Sequence, residues 1–248
     1  DRAPLALELA QWGVSDPNAL AWLDPPPPGA LAQARQLLTE LEALDNQSRI
    51  TPTGQDLAAL PAHPRLAHLL RRGAALGHGA LAADLAALLE ERDVLRGEHP
   101  FGSDLSARLD ALRGFRRDGR DGAQRWQADP AACARIEQSS QRWRRLLRMA
   151  AASSTAPDDE AIGLLLALAY PDRIARRRDG GADRYQLANG RGARLNPGDP
   201  LLGQDWLVAA HLDAGATEGR IWLAAPVQAA NLEQHLAARI LSVQDVVW

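Results

Sequence analysis

Apolar residues recur three and four positions apart over most of the first 170 residues, and from about Arg184 the repeat falls to two. The longer spacing keeps side chains on one helix face, whereas alternation puts them on opposite sides of a strand. A chain that changes period must change architecture, so a mainly α fold with a small β-barrel is expected. Leu5, Leu7, Leu9 and Trp12 mark a first short helix ended by Gly13, and Pro25 to Pro28 form a stiff link. Ala30 to Leu44 reads as one amphipathic helix. Thr51-Pro52 is an N-cap with proline at the first helical position, opening a short helix to Leu60. Helix, turn, brief extended piece at Arg49-Ile50 and helix together resemble a reduced winged-helix unit.

Beyond Pro61 and Pro64 the pattern stays helical. A helix from Arg65 is expected to break near Gly73 and Gly77, and Ala80 to Glu91 is apolar enough to be the buried element of a bundle. Ser103 can cap a helix from Asp104 to Leu112. Gly114 to Gly122, rich in Arg, Gly and Asp, reads as a loop. Asp129-Pro130 caps a long helix to about Ala152, with Ile136, Trp143, Leu146, Leu147 and Met149 as its apolar stripe and Arg135, Arg142, Arg144, Arg145 and Arg148 on its other faces. Ser153 to Pro157 is a linker, and Asp158 to Ala169 another apolar helix. Arg184 to Ala188 then alternates, Asn189-Gly190 signals a hairpin, and Arg191 to Leu195 returns. Trp206 to Leu212 and Arg220 to Ala224 are further strands, followed by a helix from Asn231 to Ile240 and a last strand from Val243 to Trp248. Short antiparallel strands in this number fit a small barrel of the OB type. The expected division is an entry helix with Pro-rich linker over 1–29, a degenerate winged helix over 30–62, a helical bundle over 63–152, and an OB-like domain with flanking helices over 153–248.

Several chemistries are excluded by what is missing. All 28 basic residues are arginine, so no phosphate loop of the GxxxxGK[ST] type exists here. A single cysteine, Cys133, forbids an internal disulfide and reads as helix packing. The six histidines are scattered, with no partners at zinc-ligand spacing; His63 reads as a helix-entry residue beside Pro64. Glu90-Glu91 reads as a solvated helix end, because adjacent helical positions diverge. No catalytic residue and no metal site are assigned. The longest apolar run, Ala161 to Tyr170, has ten residues against the ~18 that would span a bilayer, and no signal peptide opens the chain. No membrane partner and a cytoplasmic location are expected, the chain being a piece of a longer protein.

The net charge of −3 hides a polarised distribution. Residues 1–62 sum to −5, 113–148 to +6, 172–194 to +4 and 195–248 to −4. Guanidinium forks bind phosphate bidentately, so the basic stretches point to a nucleic-acid backbone. The candidate contacts are Arg142, Arg145 and Arg148 on the long helix and Arg176, Arg177, Arg178, Arg184, Arg191 and Arg194 around the barrel. Two other roles stay open for them: a solvated face, or pairing with Asp172, Asp179, Asp183 and the acidic ends of the chain.

LTELEALD at 38–45, ITPTG at 50–54 and LPAHPRLA at 60–67 resemble the winged-helix-to-ratchet passage of DEAH-box helicases. GVSDP at 13–17 and WLDPP at 22–26 match the entry to that region. DLAALLEERD at 84–93, LAYPDRIARR at 168–177, ANGRGA at 188–193, DPL at 199–201 and DWLV at 205–208 resemble the bacterial HrpB-type subfamily. Only the loop 114–128 and the tail after about 226 fall outside the similarity. The resemblance implies the C-terminal accessory module of an ATP-dependent RNA helicase: winged helix, ratchet bundle and OB-like domain. Its partners would be single-stranded RNA or DNA and the RecA-like motor domains of the same protein, during 3′–5′ translocation. ATP and Mg2+ would belong to those motor domains, so neither cofactor and no ATPase activity is expected of this chain alone. The acidic winged helix would dock the motor core. The alternative is a protein–protein interaction module that never touches nucleic acid.

Overall fold

The computed structural model describes residues 1–14, 16–17, 20–95, 100–148, 159–213 and 218–240. Three small cores organise it. The first gathers α1 (Ala3–Gln11), α2 (Pro28–Glu40) and α3 (Pro52–Ala58) around Leu7, Leu38, Leu41 and Leu57. Gly13, at φ 74°, turns the chain out of α1 as its sequence predicts. Thr51 caps α3 by accepting from the Gly54 backbone N–H at 3.0 Å. An isolated antiparallel bridge between Leu44 and Ile50 is the reduced wing.

The second core is the bundle of α4 (Pro64–Ala75), α5 (Gly79–Glu90), α6 (Leu105–Arg125), α7 (Pro130–Leu146) and α8 (Asp159–Ala169). Asp129 caps α7 as expected, accepting from the Ala131 N–H at 3.1 Å, and His63 caps α4 through Arg65 N–H at 3.2 Å. Gly73 does not break α4. It lies inside the helix, where a Cβ would collide with that of Ala82, so it lets α4 and α5 approach; the helix ends at Ala75, and Gly77, φ 82°, turns the chain away from it.

Other expectations need correction. Residues 114–122 are helical, because α6 runs through them and bends at Gly119, φ 62° and ψ −136°. The cap of α6 is Asp104, which accepts from Ser106 N–H at 2.8 Å, while Ser103 bonds elsewhere. Arg144 also departs from its expected outer face and turns inward to Asp84 at 2.9 Å. Glu90 is not simply solvated: it accepts from the indole Nε1 of buried Trp143 at 3.1 Å, and burial raises its pKa. Cys133 is fully buried, which pushes its thiol up to about 11, in keeping with packing. α7 also stops short of the expected Ala152: it ends at Leu146, with Leu147 as C-cap and Arg148 at φ 51°, and Leu146 of the expected apolar stripe is 46% exposed. Met149 and the strand from Val243 lie outside the described residues.

The third core fills a closed five-stranded barrel. β1 (Ile174–Arg177), β2 (Arg184–Leu187), β3 (Gly192–Arg194), β4 (Trp206–Leu212) and β5 (Glu218–Pro226) are ordered β1-β2-β3-β5-β4, with β4 returning to β1. Every pairing is antiparallel except β3 with β5. The middle of β4 is apolar because both its faces are buried: Leu207 and Ala209 enter the barrel, while Val208 and Ala210 meet the bundle. α8 crosses this outer face, where Gly163 leaves no room for a Cβ against the Pro226 carbonyl. After β5, α9 (Ala229–Leu236) and a 3-10 turn to Arg239 replace the single expected helix. No helix among the described residues is long and apolar enough to cross a membrane.

Candidate nucleic-acid interface

Strand register decides which barrel arginines share a face. Arg184 pairs with Arg194 across β2 and β3, and Arg194 with Arg220 across β3 and β5. Arg178 extends the same row, since its N–H donates to the Arg184 carbonyl at 2.8 Å just past the end of β1. Buried neighbours alternate with them: Tyr185, Ala193 and Ile221 point into the barrel, so Arg184, Arg194 and Arg220 stand outside. Four guanidiniums thus cross the outer barrel face in adjacent register, at about 5 Å per strand. Like charges opposite one another destabilise a sheet. Among the described residues neither Arg178, Arg184 nor Arg194 has an ion-pair partner. An arrangement that costs stability and is not neutralised internally makes this face the candidate interface.

The remaining expected contacts are distributed differently. Arg176 stacks its guanidinium 5.6 Å from the ring of Trp206, its register neighbour on β4, one pair along from the row. Arg177 points along the barrel end and is neutralised by Asp205 at 2.7 Å, a partner that no local reading offered. Arg191 lies at the opposite, turn end of the β2–β3 hairpin, beside a cleft it shares with Arg173. Arg142, Arg145 and Arg148 are exposed at the C-terminal end of α7, where cations also complement the helix dipole. Arg142 lies 5.8 Å over the Trp143 ring, Arg145 donates to the Gln141 carbonyl at 3.3 Å, and Arg148 adopts φ 51°. α7 packs on α5 and α6, so this trio sits on the bundle and apart from the barrel row.

Most of the other arginines in 113–148 are spent inside the molecule. Arg116 bonds Asp84 at 2.6 Å and Glu137 at 2.5 Å, Arg117 and Arg125 share Asp118, Arg113 pairs with Asp110, and Arg135 approaches Glu91. The +6 of that stretch therefore overstates its exposed potential. Sequence reading missed Arg220 and Trp222. Their spacing of two on an alternating strand places both on the outer face, and that signal was present in the residues Arg220-Ile221-Trp222-Leu223. Trp222 is 48% exposed, with the Arg220 guanidinium 4.6 Å from its ring.

Comparison with known proteins gives a consistent set of relatives. A family model described as the helicase associated domain (HA2), winged-helix, matches residues 34–62. The ATP-dependent RNA helicase HrpB of Escherichia coli K12 is 36% identical over the whole chain, which spans 27% of that protein. The probable ATP-dependent RNA helicase DHR2 of Saccharomyces cerevisiae is 32% identical over 40% of the chain and 13% of its own length. A crystal structure of the E. coli DExH-box NTPase HrpB superposes on 96% of this chain and 26% of its own, at a TM-score of 0.74 and 37% identity. The chain thus spans about a quarter of the length of HrpB.

Proposed function

This chain is a homologue of the C-terminal region of HrpB-type DEAH-box RNA helicases, and on that premise we propose that it guides single-stranded nucleic acid for motor domains that lie outside it. Those motor domains would bind ATP and Mg2+ and drive 3′–5′ translocation in the cytoplasm. The observation that carries this reading is the exposed row Arg178–Arg184–Arg194–Arg220. Its guanidiniums suit successive backbone phosphates, which position a strand without reading its sequence. Arg176 adds a neighbouring contact, and Arg142, Arg145 and Arg148 a second basic site on the bundle. Arg177 and Arg191 contribute less, the first because Asp205 already occupies it.

The winged-helix unit is the surface for the motor domains. Together with the entry helix it carries −5 over residues 1–62, which repels phosphate, and the end of the entry helix exposes Trp12 by 68%. A winged helix that reads nucleic acid needs a basic recognition helix, and this one has none.

Titrating a single-stranded RNA oligonucleotide at several salt concentrations tests the reading. The logarithm of the affinity is expected to fall linearly with the logarithm of salt, at about 0.7 per neutralised phosphate. Arg184→Glu, Arg194→Glu and Arg220→Glu should each weaken binding and flatten that slope. A flat slope in the unaltered chain, or unchanged binding in all three variants, rejects it and favours a protein-binding module.

A further inference from the structure

Beside the arginine row the surface opens into a cavity of about 770 Å³ between the barrel and the α5–α6 connection. Its walls differ in charge from the row. Glu91, Asp93 and Asp199 line it against a single guanidinium, that of Arg108, which Asp93 already holds at 2.6 Å. His211 also borders it, and burial with nearby Arg173 lowers the imidazole pKa, so no second cation is supplied there at neutral pH. A phosphate would meet a net negative wall. Trp222 forms part of the same wall and is half-exposed.

Register ties the two features together. Trp222 follows Arg220 by two residues on β5, and Asn196 lies two residues past Arg194, the last residue of the parallel neighbour β3. The Asn196 side-chain oxygen accepts from Arg220 Nε, and the guanidinium at the end of the row lies over one face of the indole, so a base would stack on the other. A strand whose phosphate sits on Arg220 therefore has its base within reach of Trp222, at the mouth of the acidic cavity.

We propose that Trp222 and this cavity form a nucleobase subsite, in which one unpaired base leaves the strand and stacks on the indole while its phosphate stays on Arg220. The division follows charge: the anionic backbone keeps to the guanidiniums, and the neutral base enters the region that carboxylates close to phosphate. Indole–base stacking is sequence-tolerant, because each base offers a π-face. A duplex, whose bases are already stacked and paired, cannot occupy the subsite. The inference rests on the strand-guiding function proposed above and adds to it a preference for unpaired bases.

The test uses the 248-residue chain with two fluorescein-labelled single strands of equal length, one of ordinary nucleotides and one containing a run of abasic sites. The ordinary strand is expected to bind about tenfold more tightly than the abasic one at the same salt, in line with a stacking contribution of ~1–3 kcal/mol per base. Trp222→Ala should remove that tenfold difference, leave abasic binding unchanged and keep the salt slope intact. Trp222→Phe should restore part of it. Equal binding of the two strands by the unaltered chain overturns the subsite, as does a Trp222→Ala loss that falls on both strands alike. Either result leaves the salt-dependent binding through Arg194 and Arg220 standing. Absence of salt-dependent binding to either strand overturns the guiding function and the subsite together.

Discussion

Asp84 is a carboxylate buried inside the bundle, and it survives there because two arginines converge on it. Arg116 donates two bonds of 2.6 Å, Arg144 one of 2.9 Å, and the Ser140 hydroxyl a further one at 2.5 Å. Burial alone would raise its pKa; these partners outweigh that and hold it below the usual 3.8. Asp84→Ala would leave two half-buried guanidiniums without their counter-charge, and a loss of ~3–5 kcal/mol is expected. Urea denaturation of the variant beside the unaltered chain measures it. The pH dependence has a definite sign. Since the folded pKa lies below the unfolded one, the contribution is complete above about 3.9 and is lost as pH falls through the folded value. A stability curve that is flat below pH 4 in the unaltered chain would contradict this. The caps Thr51 and Asp129 were legible from sequence because each partner lies within three residues. Asp84 was not, since its arginines sit 32 and 60 positions away.

At the scale of elements, α6 shows where composition misleads. An Arg-, Gly- and Asp-rich stretch reads as loop, yet its glycines serve packing within a bent helix. Gly122 lies so close to Gly114 that a Cβ on it would strike the Gly114 carbonyl, and Gly119 takes a φ of 62° that side chains resist. These glycines let the last turn of α6 fold back on the turns before it, and that fold-back positions Trp126 against Phe101, ring centroids 5.3 Å apart. Gly122→Ala is therefore expected to destabilise by ~1–3 kcal/mol, as overpacking does. Gly29→Ala should do the opposite. Gly29 sits in the first turn of α2 with ordinary backbone angles and nothing within 4 Å of a new Cβ. Removing its freedom in the unfolded chain should stabilise by ~0.4–1 kcal/mol. Thermal denaturation of the two variants gives the pair of signs, and like signs would refute the account. Helix and strand periods were legible because each depends on neighbours in sequence. The sense of a glycine depends on what lies across from it in space.

For the whole molecule, segment charge was a partial guide. It identified 172–194 as an exposed basic face but overstated 113–148, whose arginines largely pair with carboxylates of the same bundle. It also passed over Arg220, which lies in a net-negative segment and joins the row only through barrel closure. What holds that row in place relative to the bundle is a small set of polar ties. Arg65 of α4 makes a bidentate pair with Asp172 at the barrel entrance, at 2.6 and 2.9 Å. Asp199, in the loop before β4, accepts from the N–H and hydroxyl of Ser103, at 2.8 and 3.1 Å, while the Ser103 carbonyl accepts from Ala224 N–H of β5. Ser103 thereby anchors the start of α6 on the barrel beside the cavity that Trp222 lines.

Asp199→Ala tests that anchoring without altering the arginine row, while removing one carboxylate from the cavity wall. It is buried and its oxygens are engaged by Ser103 and by Leu201 N–H at 3.0 Å, so Asp199→Ala leaves buried donors unpaired at ~1–3 kcal/mol each. No arginine is removed, and the row Arg178–Arg184–Arg194–Arg220 keeps its register within the barrel. Two consequences separate. The salt slope for single-stranded RNA should remain that of the unaltered chain, because the same phosphates are neutralised. The advantage of ordinary over abasic strands should shrink, because the wall facing Trp222 is no longer fixed. Measured on one protein preparation at 25 °C, a changed slope would mean that the row depends on the bundle for its geometry. An unchanged advantage would mean that the barrel holds a base without help from α6.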